Sequence, residues 1–180
     1  MMVSLDGFIE GPNRDIAWHV WDNEMNKYMN DFFPTIYTII LGRVAYQLLA
    51  DFWPTPASAA EDSTITNYMN NLPKIVFSRT LSTVEWNNSR IVKENIAEEI
   101  TKLKQQPGKD LVIFGGAAIA STFMQLDLID EYRLIVNPVI LGSGNPLFKG
   151  INDRLNLKLL NTQTFSCGNV LLIYQPEKKY

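Results

Sequence analysis

Three short segments of this 180-residue chain place the chemistry of an anion site directly after an apolar run. Phe114-Gly115-Gly116-Ala117-Ala118 puts two glycines and two alanines at the start of an expected helix. With no side chains in the way, a pyrophosphate can approach the free backbone N–H groups of the first turn. The segment is neither a G-x-G-x-x-G fingerprint nor a P-loop, and close packing of helix on strand is the competing reading. Leu41-Gly42-Arg43-Val44 ends another apolar run with a glycine and opens a helix with a guanidinium, a pairing suited to phosphate. A solvated arginine after a turn is the alternative there. Phe77-Ser78-Arg79-Thr80 adds hydroxyls and a second arginine. That set suits a phosphate monoester such as the 2′-phosphate that separates NADP from NAD, and a polar loop is the alternative.

Other residues bound the chemistry. His19 is the single histidine and Cys167 the single cysteine. Zinc sites built from several Cys and His are excluded, no metal site is expected, and any Ser-His-Asp triad would have to use His19. Cys167 stands in an expected hairpin turn with no histidine near it in sequence, so a nucleophilic role is not expected. One cysteine forms no internal disulfide, which favours a reducing compartment, and a cytoplasmic location is expected. The net charge is −3 without a basic stripe, so nucleic acid is not an expected partner. No apolar run approaches the roughly 18 residues of a membrane span, and no signal peptide is visible. Asp6, in the Asp-Gly turn of Ser4–Ile9, is a candidate for orienting a substrate, and equally a turn residue.

These residues need elements to position them. Ile36–Leu41, Lys74–Phe77 and Leu111–Phe114 are rich in β-branched residues and nearly all apolar, as strands buried on both faces are. Helical spacing marks Trp21–Phe33, Val44–Phe52, Asn95–Gln106 and Ala117–Leu126. In the third, Asn95 and Glu98 have the spacing of a capping box. Pro54–Ser63 is expected to be a loop. Glu131–Leu141, Leu155–Phe165 and Val170–Tyr174 are further strands, the last two joined by the Ser166–Asn169 turn. The pattern predicts one domain over 1–180, a three-layer α/β/α fold. Its central sheet is mixed and mostly parallel, and it ends in an antiparallel hairpin. Ligands of such sheets bind beyond the carboxyl ends of the strands, where the three anion segments stand.

Taken in order, Ser4–Ile9 (SLDGFI), Leu41–Tyr46 (LGRVAY), Phe52–Pro54 (FWP), Ile75–Leu81 (IVFSRTL), Val112–Gly116 (VIFGG), Leu128–Leu134 (LIDEYRL) and Pro138–Phe148 (PVILGSGNPLF) resemble the dihydrofolate reductase-like superfamily. The closer likeness is to the reductase domain of the bacterial bifunctional riboflavin-biosynthesis deaminase-reductase and its stand-alone relatives. The resemblance implies an NADPH-dependent reductase that transfers hydride to a C=N or C=O carbon of a pyrimidine- or pterin-like heterocycle, commonly as a homodimer. It implies that Gly42, Arg43 and Val44 bind cofactor phosphate. Ser78 and Arg79 would take the 2′-phosphate end, and Gly115, Gly116, Ala117 and Ala118 the pyrophosphate. Ile9 and Trp18 would line the nicotinamide and substrate cleft, and the stretch with Gly142 and Gly144 would close it.

Four positions depart from the family's pattern. Ala45 and Gln47 stand where its phosphate motif has Thr and Glu. Phe114 stands where riboflavin-pathway reductases carry an acid for the pyrimidine, and Asn26 stands near the helix carboxylate of dihydrofolate reductases. The family's first strand begins several residues before the SLDG motif, and here three residues precede Ser4. A dihydrofolate or pterin reductase, and a catalytically silent nucleotide-binding homologue, are the alternative readings.

Overall fold

The computed structural model describes residues 1–177. In chain order its elements are β1 (Met2–Val3), β2 (Phe8–Glu10), α1 (Asn23–Phe32), β3 (Ile36–Gly42), α2 (Arg43–Phe52), α3 (Pro56–Glu61), α4 (Ser63–Asn71), β4 (Lys74–Phe77), β5 (Ser89–Val92), α5 (Ile96–Lys104), β6 (Asp110–Ile113), α6 (Ala117–Gln125), β7 (Tyr132–Val136), β8 (Asn145–Pro146), β9 (Leu157–Thr164) and β10 (Val170–Pro176). Two compact units partition them. Unit 1 is Met1–Asn26 with the chain from Ala120 onward, and unit 2 is Lys27–Ile119. Among the described residues no helix is long and apolar enough to cross a membrane.

Unit 2 is built on a parallel sheet in the order β5-β4-β3-β6. Ile39, Ile40 and Leu41 are consecutive in β3 and all buried. Successive strand side chains point to opposite faces, so both faces of this strand are covered. Burying each such side chain contributes about 1.5–3 kcal/mol. Ala45 and Tyr46 of α2 and Ile65 and Met69 of α4 pack with Ile39, Leu41 and Val76 in one core, joined by Phe33, Ile36 and Trp86.

Unit 1 carries the sheet β1-β7-β10-β9, with β1 parallel to β7 and the remaining pairs antiparallel. A short β2–β8 pair accompanies it. Val3, Ala120, Met124, Tyr132 and Leu147 form its core. The expected mostly parallel sheet and terminal antiparallel hairpin are both present. Gly168, at φ 91°, makes the turn between β9 and β10.

Several local expectations are corrected. Pro54–Ser63 is not a loop, because it contains α3. Thr55 is extended, Pro56 takes the first helical position, and the following alanines favour the helix. Ser58 Oγ donates back to the Trp53 and Thr55 carbonyls. The Asn95 capping box does not form. Asn95 is left-handed at φ 56°, its side chain caps nothing, and Glu98 pairs with Lys102 at 2.6 Å. The strand expected over Glu131–Leu141 stops at Val136. Pro138 has no N–H for a ladder, and Val139 beyond it accepts from Leu5 N at 2.8 Å instead. Neither α4 nor β5 was legible in the sequence. The polar run of α4 is started by Asp62, whose carboxylate accepts from Thr64 and Ile65 N–H at 2.8 and 2.9 Å.

Candidate functional site

Because all strands of the unit 2 sheet run the same way, β3, β4 and β6 end on one edge. Gly42 is paired with Phe77 there, and Phe114 N donates to Ile40 O at 3.1 Å. The sheet therefore brings the three anion segments together: Gly42, Arg43 and Val44 after β3, Ser78 and Arg79 after β4, and Gly115, Gly116, Ala117 and Ala118 after β6.

The glycine pair has a backbone reason. Gly115 sits at φ 117° and Gly116 at φ 96°, a region that side chains strongly disfavour. A Cβ on Gly116 would lie 3.8 Å from Gly42 N, 3.2 Å from Ile119 Cγ2 and 3.9 Å from Ala45 Cβ. The missing side chain thus lets the start of α6 approach the start of α2. It also lets Ile119 and Ala45 pack close, so the packing reading and the anion reading rest on the same glycines. Gly42 differs from the sequence expectation of a glycine-specific turn. Its φ of −84° suits any residue, and a Cβ there would make only ordinary 3.5 Å contact with Ile119. No side chain caps α2, so its first N–H groups have no side-chain acceptor. An anion at this helix start meets free N–H groups and the positive end of the helix dipole.

The side chains around this junction divide into braces and exposed cations. Ser78 is buried, and its Oγ accepts from Thr80 N at 3.2 Å and Leu81 N at 3.0 Å. It shapes the turn that presents Arg79, which is exposed. Arg43 Nη1 donates to Gln47 Oε1 at 3.2 Å. Sequence reading missed Lys93. Ser78 N donates to Val92 O, and Phe77 pairs with Val92, so the register sets exposed Lys93 beside the Ser78–Arg79 turn. Only the strand β5, unseen in the sequence, could have shown it. Phe114 stacks on buried Phe33, with centroids 5.6 Å apart and planes 12° from parallel. The position of the family's acid is therefore an aromatic wall.

The remaining candidates lie in unit 1. Asp6 Oδ1 accepts from Ser4 Oγ at 2.7 Å and Leu141 N at 3.1 Å, and Oδ2 accepts from Gly142 N at 2.8 Å. The Ser4 hydroxyl, with the Gly142 and Leu141 amides, holds the Asp6 carboxyl below its ordinary value. Its oxygens are thus engaged in fastening the 138–148 stretch. Gly142 is left-handed at φ 72°. Gly144 is confined more tightly, since a Cβ there would fall 2.2 Å from Glu10 O, next to half-buried Ile9. Half-buried Trp18 donates from Nε1 to Asp15 O at 3.0 Å. Asn26 Oδ1 accepts from Trp21 Nε1. Asp22, the other acid near it, accepts from Met25 N at 2.8 Å and Cys167 N at 2.7 Å. Those bonds hold its carboxyl low, Met25 N–H chiefly. Glu24 accepts from Ser166 N at 2.7 Å. Burial is the main influence on His19 and pushes its imidazole below the ordinary value.

A parallel sheet whose carboxyl edge gathers glycine-lined helix starts defines an α/β fold of the dihydrofolate reductase-like class. Within that class the chain belongs to the RibD C-terminal domain family, whose model matches residues 1–171. It is 40% identical over 174 residues to the uncharacterized protein YyaP of Bacillus subtilis (strain 168), covering 97% of this chain and 91% of that one. A Shewanella sp. PV-4 protein provisionally assigned to riboflavin biosynthesis superposes with a TM-score of 0.79 at 22% identity, covering 99% of this chain and 97% of that one. Dihydrofolate reductase from Enterococcus faecalis, solved with NADP(H), gives 0.65 at 16% identity, covering 98% and 94%. The family is reductase-like, and its fold is the one expected from the sequence.

Proposed function

We propose that this protein is an NADPH-dependent reductase that passes hydride to a C=N or C=O carbon of a flat heterocyclic substrate. The observation that carries the reading is the glycine pair at the start of α6. Gly115 and Gly116 both have positive φ and leave the backbone without side chains there. A Cβ on Gly116 would lie 3.8 Å from Gly42 N, at the start of α2, which no side chain caps. Backbone stripped of side chains beside a helix start suits a pyrophosphate. Gly42 to Val44 and Gly115 to Ala118 would hold it through backbone N–H groups. Arg79 would hold a 2′-phosphate, and Lys93 would add a second cation there. When bound, the nicotinamide supplies the hydride, and the protein's part is to bind, orient and exclude water.

Within unit 1, Trp18, Ile9 and the Gly142–Gly144 stretch are assigned to the substrate. A pterin reductase of the dihydrofolate type uses a free carboxylate near the start of the first helix. Asp22 and Glu24 hold the Ser166–Cys167 turn and Asn26 is bonded to Trp21, which speaks against the dihydrofolate type. Phe114 replaces the acid of the riboflavin-pathway type, so the substrate screen decides the heterocycle. The test is a fluorescence titration with NADPH and NADH, followed by NADPH oxidation over pyrimidine, pterin and quinone substrates. Absence of NADPH binding overturns the reading, and binding without oxidation of any of these overturns the reductase assignment.

A further inference from the structure

Asn137 and Asn169 are completely buried, and nothing in the cofactor reading uses them. A buried amide is costly unless its polar atoms are bonded. Here the two side chains converge on the backbone of one residue, Val20. Asn137 Oδ1 accepts from Val20 N at 3.1 Å, and Asn169 Nδ2 donates to Val20 O at 2.9 Å. Each asparagine is itself anchored. Asn137 Nδ2 donates to Ile135 O at 3.2 Å and Val3 O at 3.4 Å, the ends of β7 and β1. Asn169 O accepts from Phe165 N at 2.9 Å across the β9–β10 turn. Asn169 Oδ1 itself has no partner among the described residues, and such an atom costs stability.

Val20 is the midpoint of an irregular stretch carrying Trp18, His19 and Trp21. Backbone groups of such stretches ordinarily bond water. Two carboxylates extend the attachment, Asp22 to Cys167 N and Glu24 to Ser166 N. Upstream, local bonds carry the constraint to Trp18. His19 N donates to Ile16 O at 3.2 Å, Ala17 N to Asp15 Oδ1 at 2.9 Å, and the Trp18 indole to Asp15 O. Trp18 and His19 meet edge to face at 4.4 Å.

We propose that Asn137 and Asn169 are positioning residues. By clamping both the N–H and the C=O of Val20, they hold the Trp18–Trp21 segment as a preformed wall for the substrate ring. The functional half of this inference rests on the assignment of Trp18 to the substrate. The clamp itself is independent of that assignment.

The test is 19F NMR of the full chain labelled with 5-fluorotryptophan, the Trp18 and Trp21 lines being assigned by Trp18→Phe and Trp21→Phe. In the unsubstituted protein Trp18 gives one narrow line without relaxation dispersion. In Asn169→Ala the Trp18 line shows exchange, with the minor population raised about tenfold. The Trp53 and Trp86 lines of unit 2 stay unchanged. Dispersion at Trp18 in the unsubstituted protein overturns the clamp, and this arm needs no folded variant. An unchanged Trp18 line in Asn169→Ala also overturns it. NADPH titration of the same samples reads the cofactor assignment separately. Failure to bind refutes the reductase reading and leaves the clamp result standing, whereas a mobile Trp18 in the unsubstituted protein with binding intact refutes only the clamp. With a substrate from the oxidation screen, Asn169→Ala raises KM about tenfold at unchanged NADPH affinity. A KM equal to that of the unsubstituted protein refutes the positioning role.

Discussion

Replacing Gly116 by alanine tests the cofactor assignment at the position where the geometry is most restrictive. The residue sits at φ 96°, where a side chain costs about 1–2 kcal/mol. Its methyl would also press Ile119 Cγ2 from 3.2 Å, so Ile119 must yield by a few tenths of an ångström. For a chain of this size, 1 kcal/mol moves the melting temperature by about 2–4 °C. Gly116→Ala is therefore expected to melt about 2–8 °C lower without ligand. Gly108→Ala is the control, because a Cβ there meets nothing within 4 Å, and its melting temperature should rise by about 1–4 °C rather than fall. The ligand arm decides function. At 100 times its Kd, NADPH should add about 2.7 kcal/mol, a rise of about 5–11 °C in the unsubstituted protein. A methyl at the pyrophosphate site should weaken binding at least about tenfold. At the same concentration the rise then falls to about 3–6 °C. Differential scanning fluorimetry of the three proteins with and without NADPH measures both arms. An equal ligand-induced rise in Gly116→Ala refutes the reasoning, since the glycine would then serve only the packing of Ile119 and Ala45.

Arg79→Ala removes an exposed guanidinium at little structural cost and should reduce a preference for NADPH over NADH by about tenfold, read by fluorescence titration. A preference that survives assigns the 2′-phosphate elsewhere. Lys74 is buried, and its Nζ donates to Leu72, Asn87 and Asn70 carbonyls at 2.7, 2.9 and 3.2 Å over the Trp86 ring. Burial pushes its ammonium down to about 8, so the folded chain binds fewer protons than the unfolded one between about pH 8 and 10.5, and stability contributed by Lys74 rises with pH across that window. Lys74→Met leaves three carbonyls without their donor and should cost about 2 kcal/mol at pH 7. Its deficit in urea unfolding should widen from pH 8 to 10.5, by at most about 3 kcal/mol because the carbonyls and ring favour the charged form; a constant deficit would show that Lys74 titrates at its ordinary value. The long outer strand β9 exposes Leu159 and Leu160, and light scattering at micromolar concentration should give twice the mass of one chain. A monomer mass throughout a dilution series excludes the homodimer.

The sequence by itself determined the elements whose patterns are local. The apolar β-branched runs of β3 and β4 bury both faces in a covered sheet, and the spacing of Ile96, Ile100 and Leu103 put one apolar stripe on α5. It also identified the glycine, serine and arginine segments, because what makes them suited to phosphate is residue type immediately after a strand. Elements defined by partners were not legible. The polar strand β5 exists because β4 offers it a parallel edge, and α4 buries Ile65 and Met69 of an otherwise polar run. Propensity misled at Pro54–Ser63, where alanines and a proline at the first helical position outweighed the look of a linker.

Tertiary structure alone decided which residues act together. Register put Lys93 beside Ser78, fold closure brought Gly116 beside Gly42 N, and long-range bonds turned Asp6 into a fastening for Leu141 and Gly142. It also set Asn137 and Asn169 on Val20, 117 and 149 residues away along the chain. No local pattern encodes such pairings, because hydrogen-bond partners are fixed by where the sheets bring the chain back, and sequence proximity does not enter.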